Sequence, residues 1–270
     1  MTDFSKMRPL AAASFLIGMA MAPSVVFAQT PLQSGGPADP AVIEDLVAAS
    51  RILAVEGVLD AYGHVSMRHP GNPNRYLMSR SLAPALITIN DIMEFDLDSN
   101  PVAQNGRTMF TERFIHGEVY KARPEVKAIV HSHSPGVIQF GISSVPLKPV
   151  FHLGAFLYKG VPIFDIRDAI DNGEMLVRDA KLGAHLAKVL GDKDVVLMRG
   201  HGDVVVGPTL QHAVFRAIYT EVNARLQSAA IALGGSINYL TEKEGDIITN
   251  RQPGNIGRAW NLWKSKALGR

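Results

Sequence analysis

The amino-acid sequence predicts an α/β protein built around a mixed β-sheet. Segments with helical spacing of apolar residues alternate along the chain with short, strongly apolar segments typical of strands. Two such strands are separated only by Arg199–Asp203, which contains two glycines. So short a connection requires an antiparallel hairpin, and the sheet is therefore not purely parallel.

Composition excludes several classes of protein. The 270 residues are 47% hydrophobic and 19% charged, which is too apolar for a disordered chain. The formal net charge of +2 is too balanced for a dedicated nucleic-acid binder. With no cysteine, the chain has no disulfides, thiol nucleophile or cysteine-ligated metal, and its nine histidines are the candidate soft ligands.

The N-terminus is typical of a cleavable bacterial signal peptide over residues 1–28. Lys6 and Arg8 precede an apolar run from Leu10 to Ala22, and Val26–Ala28 has the small-residue pattern of a cleavage site. The run is too short to cross a bilayer, although a buried helix or a retained anchor would be the alternative. We therefore expect a periplasmic or secreted protein.

The mature chain is expected to begin at Gln29 and to form one domain over residues 41–270. Residues 29–40 are rich in Pro, Gly and Ser and predict a flexible leader. No later apolar run has spanning length, so we expect no membrane segment once the signal is removed.

In the first half of the domain, the pattern predicts a helix, three strands and a second helix. Asp39 is the expected N-cap of the first helix. In chain order the predictions are a helix at Ala41–Leu59, strands at Tyr76–Ser79, Ala85–Ile89 and Ile92–Leu97, and a helix at Glu112–Lys121.

The second half is predicted to contain three strands and three helices. Gly234 is the expected stop of a long helix. In chain order the predictions are a strand at Val126–His131, helices at Val137–Gly141 and Met175–Leu190, strands at Val195–Met198 and Val204–Val206, and a helix at Leu210–Gly234.

A pair of histidines, His131 and His133, follows a predicted strand. Side chains two residues apart share one face of a strand, so both imidazoles could bind one metal ion. His201, between two glycines in the predicted hairpin, could supply a third imidazole, and three imidazoles with an open position are typical of catalytic zinc. Partly buried polar histidines and a turn histidine bonded to the backbone are the alternatives.

Glu112 is the fourth candidate ligand, at the start of the helix that precedes the histidine pair. The alternative is a first-turn glutamate that the helix dipole favours. His116 lies one turn later on the same face, where it could act on the ligands or on a substrate.

Five motifs between about Val42 and Leu240 resemble the class II aldolase/adducin family, whose members include zinc-dependent sugar-phosphate aldolases and epimerases. The motifs are Gly63–Ser66, Thr111–His116, Ala122–Val126, His131–Pro135 and Arg199–Gly202. The resemblance implies a three-layer α/β/α sandwich with a central mixed, mostly antiparallel sheet, assembled as a homotetramer.

The same resemblance implies one divalent ion per subunit, zinc or manganese, held by His131, His133, His201 and Glu112. Glu112 would ligate the ion at rest and act as acid/base when substrate displaces it. The C-terminal segment Tyr239–Arg270, which contains Trp260 and Trp263, could pack on a neighbouring subunit, and a surface tail is the alternative.

Departures from the sugar-phosphate pattern resemble the decarboxylase branch of the family. His64 stands where phosphate-using members carry Asn, Phe110-Thr111 replaces paired serines, and Met78–Leu82 replaces a Thr-Gly phosphate loop. Arg80 could form a bidentate pair with a carboxylate, unless it is a surface loop arginine. His64 could instead be a hydrogen-bonded turn histidine.

These features predict a metal-dependent carbon–carbon lyase that decarboxylates a hydroxy-substituted aromatic or heteroaromatic acid. The substrate would be a small anion, and no nucleic acid is expected as a partner. The alternatives are an aldolase or epimerase acting on a sugar phosphate, or a non-catalytic adducin-like module. The predicted catalytic residues are Glu112, His64 and His116, and the predicted substrate-binding residues are Ser79, Arg80 and Ser81.

Overall fold

The computed structural model describes residues 32–171, 174–251 and 253–269, so the predicted signal peptide lies outside the described residues. Seven strands are present in this part of the chain: β1 (His64–Arg68), β2 (Arg75–Ser79), β3 (Ile92–Asp96), β4 (Ala128–Ser132), β5 (Ile163–Phe164), β6 (Val195–Met198) and β7 (Gly202–Gly207). Its α-helices are α1 (Pro40–Val55), α2 (Arg113–Ala122), α3 (Pro135–Gly141), α4 (Ala180–Leu190), α5 (Leu210–Leu233), α6 (Glu242–Arg251) and α7 (Pro253–Leu268).

The strands form one mixed sheet in the order β3-β2-β1-β4-β7-β6-β5. All neighbours are antiparallel except β5 and β6, which are parallel. The predicted hairpin is confirmed, because β6 and β7 pair directly with Val196 opposite Val204.

Helices cover both faces of the sheet. Alternate strand residues point to opposite faces, so Val130 and Val205 pack in one core with α1, α3, α5 and α7, while Ile129 and Val204 pack in a second core with α2 and α4. The three-layer α/β/α architecture is therefore confirmed.

The central strand β1 was not predicted. Val65 and Met67 alternate there with His64, Ser66 and Arg68, and all five side chains are at least partly buried. The period of two was visible in the sequence, but the polar side chains obscured it, because they are buried in hydrogen bonds rather than exposed to solvent.

The predicted strand Ala85–Ile89 is wrong. The chain forms two short 3₁₀ helices instead, Pro84–Leu86 and Ile89–Asp91. The Asp91 carboxylate accepts hydrogen bonds from the backbone and hydroxyl of Thr88, which closes the second turn.

The predicted helix Met175–Leu190 begins five residues late, at Ala180. The carboxylate of Asp179 accepts from the amide of Leu182 and caps the helix there. The residues before Asp179 are irregular and make backbone hydrogen bonds to the candidate site.

The C-terminal segment packs within its own chain, so the alternative of a surface tail is wrong, while contact of this segment with a neighbouring subunit stays a prediction. Trp260 and Trp263 of α7 are each 6% exposed and belong to the core that α1 and α5 share. Trp263 also contacts the rings of Phe215 and Tyr219 on α5.

The described part of the leader, residues 32–39, lies against β2 and β3 without regular structure. Ser34 and Gly35 donate hydrogen bonds to Glu94, and Arg75 donates to the carbonyl of Gln33. Asp39 caps α1 as predicted, because its carboxylate accepts from the following helix. Within the described residues, no helix is both long and apolar enough to cross a bilayer.

Candidate metal centre

Four predicted ligands converge at one end of the sheet. His131 and His133 come from the end of β4, His201 from the β6–β7 turn, and Glu112 from the residue before α2. One ligand atom from each lies within 4.8 Å of the others. The turn can approach β4 because residue 202 is glycine: a Cβ there would collide with the carbonyl oxygen of Ser132.

Backbone carbonyls orient two of the imidazoles. The Nδ1 atoms of His131 and His201 lie 3.0 Å from the carbonyl oxygens of Asp203 and Met175, respectively. A carbonyl only accepts, so both Nδ1 atoms carry a proton, and in the neutral form of each ring Nε2 keeps the lone pair that a metal ion requires. The His131 Nε2 is buried and has no hydrogen-bond partner, as expected of an atom positioned to ligate a metal.

The Glu112 carboxylate completes the group. Its Oε1 accepts from the amide of Val177 at 2.9 Å, and its Oε2 lies 3.4 Å from His131 Nε2 and 3.3 Å from His201 Nε2. Burial raises the pKa of Glu112, but the proximity of His131 and His201 outweighs burial and holds that pKa well below its usual range. The carboxylate is therefore ionised at rest.

The donor set fits a divalent ion. His133 Nε2 lies 3.0 Å from His201 Nε2, and burial, with the neighbouring histidines, lowers the pKa of His133 to about 4. A cation shared between these nitrogens and the Glu112 carboxylate would be bound by neutral imidazoles and one anionic oxygen. Three imidazoles and one carboxylate are ligands that zinc accepts, and availability would decide between zinc and manganese.

A second buried group adjoins the metal ligands. His64 Nδ1 lies 2.7 Å from His116 Nε2, and Ser66 Oγ lies 2.6 Å from His116 Nδ1 and 2.8 Å from the Tyr120 hydroxyl. The ring of His64 is 5.0 Å from that of His131 between centroids. The structure thus places both predicted catalytic histidines beside the ligand cluster.

A cavity of about 450 Å³ opens onto Glu112 and His64. Much of its wall is apolar or aromatic, from Tyr62, Leu82, Ala83, Met109, Phe110 and Leu176. The Phe110 ring lies 4.5 Å from the His64 ring between centroids. A flat apolar group would fit such walls, with its polar substituents directed at the ligand cluster.

The three predicted substrate-binding residues separate in the structure. Ser81 lines the cavity, whereas Ser79 is buried within β2. Arg80 Nε donates to Asp91 Oδ1 at 2.6 Å, and Arg80 is not among the described residues that line the cavity. A role for Arg80 in clamping a substrate carboxylate stays a prediction and would require its pair with Asp91 to open.

Sequence reasoning missed four contributors to the site. Met175 and Val177 act through backbone atoms, for which no residue type is a signal. Ser66 and Tyr120 act through hydroxyls, and they could have been found: Ser66 is two residues after His64 on β1, and Tyr120 is one helical turn after His116 on α2.

Comparison with known proteins identifies the family. Residues 44–228 match the class II aldolase and adducin N-terminal domain. The chain belongs to this family. A decarboxylase, tropJ, from Talaromyces stipitatus is 36% identical over 244 residues, covering 82% of this chain and 92% of the relative. A 3,4-dihydroxyphthalate decarboxylase from Arthrobacter keyseri is 30% identical over 211 residues, covering 74% of this chain and 83% of the relative.

The solved structures agree on the fold. L-Fuculose 1-phosphate aldolase from Glaciozyma antarctica superposes with a TM-score of 0.68 at 25% identity, covering 86% of this chain and 94% of the aldolase. The predicted family resemblance, including its decarboxylase branch, is therefore confirmed. Decarboxylases and aldolases both break carbon–carbon bonds, so these relatives support a lyase activity.

Proposed function

We propose that this protein is a metal-dependent decarboxylase of a small, hydroxy-substituted aromatic or heteroaromatic acid. The observation that carries the proposal is the convergence of three histidines and Glu112 beside an apolar-walled cavity. The similarity to tropJ and to the dihydroxyphthalate decarboxylase supports the type of reaction.

His131, His133, His201 and Glu112 would hold one zinc or manganese ion per subunit. When bound, such an ion supplies Lewis-acid chemistry, which stabilises negative charge on a substrate carboxylate and its neighbouring oxygen. The backbone carbonyls of Asp203 and Met175 orient two of these imidazoles, so the ligand set is arranged before any ion binds.

Loss of carbon dioxide from an aromatic ring requires a proton at the ring carbon that carried the carboxylate. Glu112 is ionised while it faces His131 and His201, so it takes up a proton only when substrate separates it from them. That proton comes from the hydroxyl group of the substrate, and Glu112 delivers it to the ring carbon as the general acid. The bond from that carbon to the carboxylate then breaks, and carbon dioxide leaves as the ring regains its aromaticity. His64 on the cavity wall, with His116 behind it, assists by binding a substrate oxygen.

A sugar-phosphate aldolase or epimerase is the second candidate, and its support is the structural likeness to the fuculose-phosphate enzyme. The Phe110 ring occupies the position where phosphate-using members were expected to carry a serine, and it lies against His64. An aromatic wall there suits a planar ring better than a phosphate dianion. A non-catalytic adducin-like role is disfavoured, since all four ligands are present and converge.

The proposal is tested by a screen for carbon dioxide release. Zinc- or manganese-loaded protein is incubated with hydroxybenzoates, dihydroxyphthalates and pyridine dicarboxylates, and with L-fuculose 1-phosphate as the aldolase substrate. We expect carbon dioxide from at least one aromatic acid and no aldehyde from the sugar phosphate. Aldehyde release without carbon dioxide would establish the second candidate instead.

We further propose that the protein acts as a homotetramer on a small anionic substrate. Export after cleavage behind Ala28 is also proposed, on the signal-like pattern of residues 1–28.

A further inference from the structure

We propose that Tyr120, Ser66 and His116 form a one-way chain of hydrogen-bond donors that holds His64 as a neutral imidazole with its Nε2–H directed at the cavity. His64 would then be a fixed donor to an oxyanion of the ligand, such as a carboxylate, and not a base. Its use in catalysis rests on the proposed function, but the state of its ring does not.

The series of hydrogen bonds is continuous and buried. Three hydrogen bonds of 2.8, 2.6 and 2.7 Å join Tyr120 to Ser66, Ser66 to His116 and His116 to His64. The exposed fractions of Tyr120, Ser66, His116 and His64 are 1%, 0%, 0% and 4%. Water therefore has little opportunity to replace any of these groups as a hydrogen-bond partner, and the position of each proton depends on the neighbouring groups.

The direction of the chain follows from its buried end. Burial raises the pKa of the Tyr120 phenol far above its usual value, so the hydroxyl keeps its proton. Among the described residues that hydroxyl has one hydrogen-bond partner, Ser66 Oγ, which must accept. Ser66 is then free to donate its own proton only to His116 Nδ1.

The rings of His116 and His64 continue the same order of donors and acceptors as far as the cavity. If His116 Nδ1 accepts, the neutral ring carries its proton on Nε2 and donates to His64 Nδ1. The remaining His64 nitrogen, Nε2, then carries the proton, and His64 lines the cavity. The reverse order would leave the Tyr120 hydroxyl buried without an acceptor, which is disfavoured.

The experiment measures the tautomers directly, by long-range ¹H–¹⁵N correlation spectra of full-length, zinc-loaded protein labelled with ¹⁵N-histidine. Signals are assigned from the spectra of H64N and H116Q. Tyr120→Phe removes only the hydroxyl that sets the direction, so Ser66 can then either donate to His116 or accept from it. Tyr76→Phe is the matched control: its ring also packs 6.3 Å from His116, but its hydroxyl donates to Ser99 and lies outside the chain.

In the wild type and in Tyr76→Phe we expect His64 and His116 each to carry the proton on Nε2 alone. In Tyr120→Phe we expect averaged nitrogen shifts that indicate mixed tautomers, with unchanged zinc content. Ser66→Ala, which cuts the chain, should give the same mixing if Tyr120→Phe does not fold.

A wild-type His64 protonated on Nδ1, or on both nitrogens, would overturn the proposal. So would a Tyr120→Phe spectrum identical to the wild type, or equal mixing in Tyr76→Phe. The spectra require no substrate. If the tautomers are as expected while no acid is decarboxylated, the proposed function is wrong and the proposed hydrogen-bond direction is supported. If carbon dioxide is released while the tautomers differ from those expected, the proposed function is supported and the hydrogen-bond direction is wrong.

Discussion

At the scale of single residues, the site depends on where individual protons lie. Glu112 is ionised because two histidines face its Oε2. Its role as a proton carrier can be tested separately from its role as a ligand. Glu112→Gln keeps the size and one oxygen but cannot carry a proton. We expect the variant to keep most of its metal and to lose about 100-fold or more in turnover.

Metal content by elemental analysis and turnover by carbon dioxide release test this prediction together. Near-normal turnover in metal-replete Glu112→Gln would move the acid role to His64 or His116. The matched comparison is His133→Ala, which removes one of the four ligands: here we expect metal content and turnover to fall together.

His116 makes the metal-free protein sensitive to acid. Burial and the charge of His131 lower the pKa of His116 to about 3, whereas an unfolded histidine titrates at about 6.5. The unfolded state therefore binds one more proton between these values, so the stability from neutral His116 is present above about pH 6.5 and is lost as pH falls towards 3.

We expect His116→Gln to reduce the slope of unfolding free energy against pH by up to about 1.4 kcal/mol per pH unit between pH 4 and 6. Urea unfolding of metal-free wild type and variant at several pH values measures that slope. Equal slopes in the two proteins would contradict a neutral, buried His116.

At the scale of secondary-structure elements, the close approach of β4 and the β6–β7 turn positions three of the four ligands. Gly202→Ala would place a methyl group against the Ser132 carbonyl, so we expect a loss of about 3 kcal/mol or more in stability, together with weaker metal binding. Gly257→Ala in α7 is the control, because a Cβ there has no neighbour within 4 Å. Thermal unfolding and zinc titration of both variants test this, and equal behaviour would contradict the packing explanation.

Elements also show how far the sequence could predict this protein. The apolar strands β6 and β7 and the capped helix α1 were predicted because their periodicity and cap residues are local signals. Strand β1 was missed because its alternate positions are polar and buried, and Ala85–Ile89 was misassigned because a side-chain cap overrode an apolar pattern. The candidate metal ligands were predicted from the spacing of the histidines together with the family resemblance, but the backbone groups of Met175 and Val177 were not predicted.

At the scale of the whole molecule, two properties extend beyond the described chain. Cleavage after Ala28 predicts that protein purified from its native cells begins at Gln29, which intact-mass measurement can establish. Retention of residues 1–28 in soluble cytosolic protein would contradict export.

Assembly is the second such property. We expect light scattering to give the mass of four subunits at micromolar concentration, and a monomer there would contradict the proposed tetramer. The burial of Trp260 and Trp263 within one chain already means that subunit contacts must come from surfaces other than these side chains.

The most direct test of the account is release of labelled carbon dioxide from carboxyl-labelled 3,4-dihydroxyphthalate and related hydroxy acids, with metal content measured in the same samples. We predict release by zinc- or manganese-loaded wild type, loss on chelation, recovery on readdition of the metal, and none from His133→Ala. Release that persists in chelated, metal-free protein, or its absence from every aromatic acid while a sugar phosphate is cleaved, would contradict a metal-dependent decarboxylase.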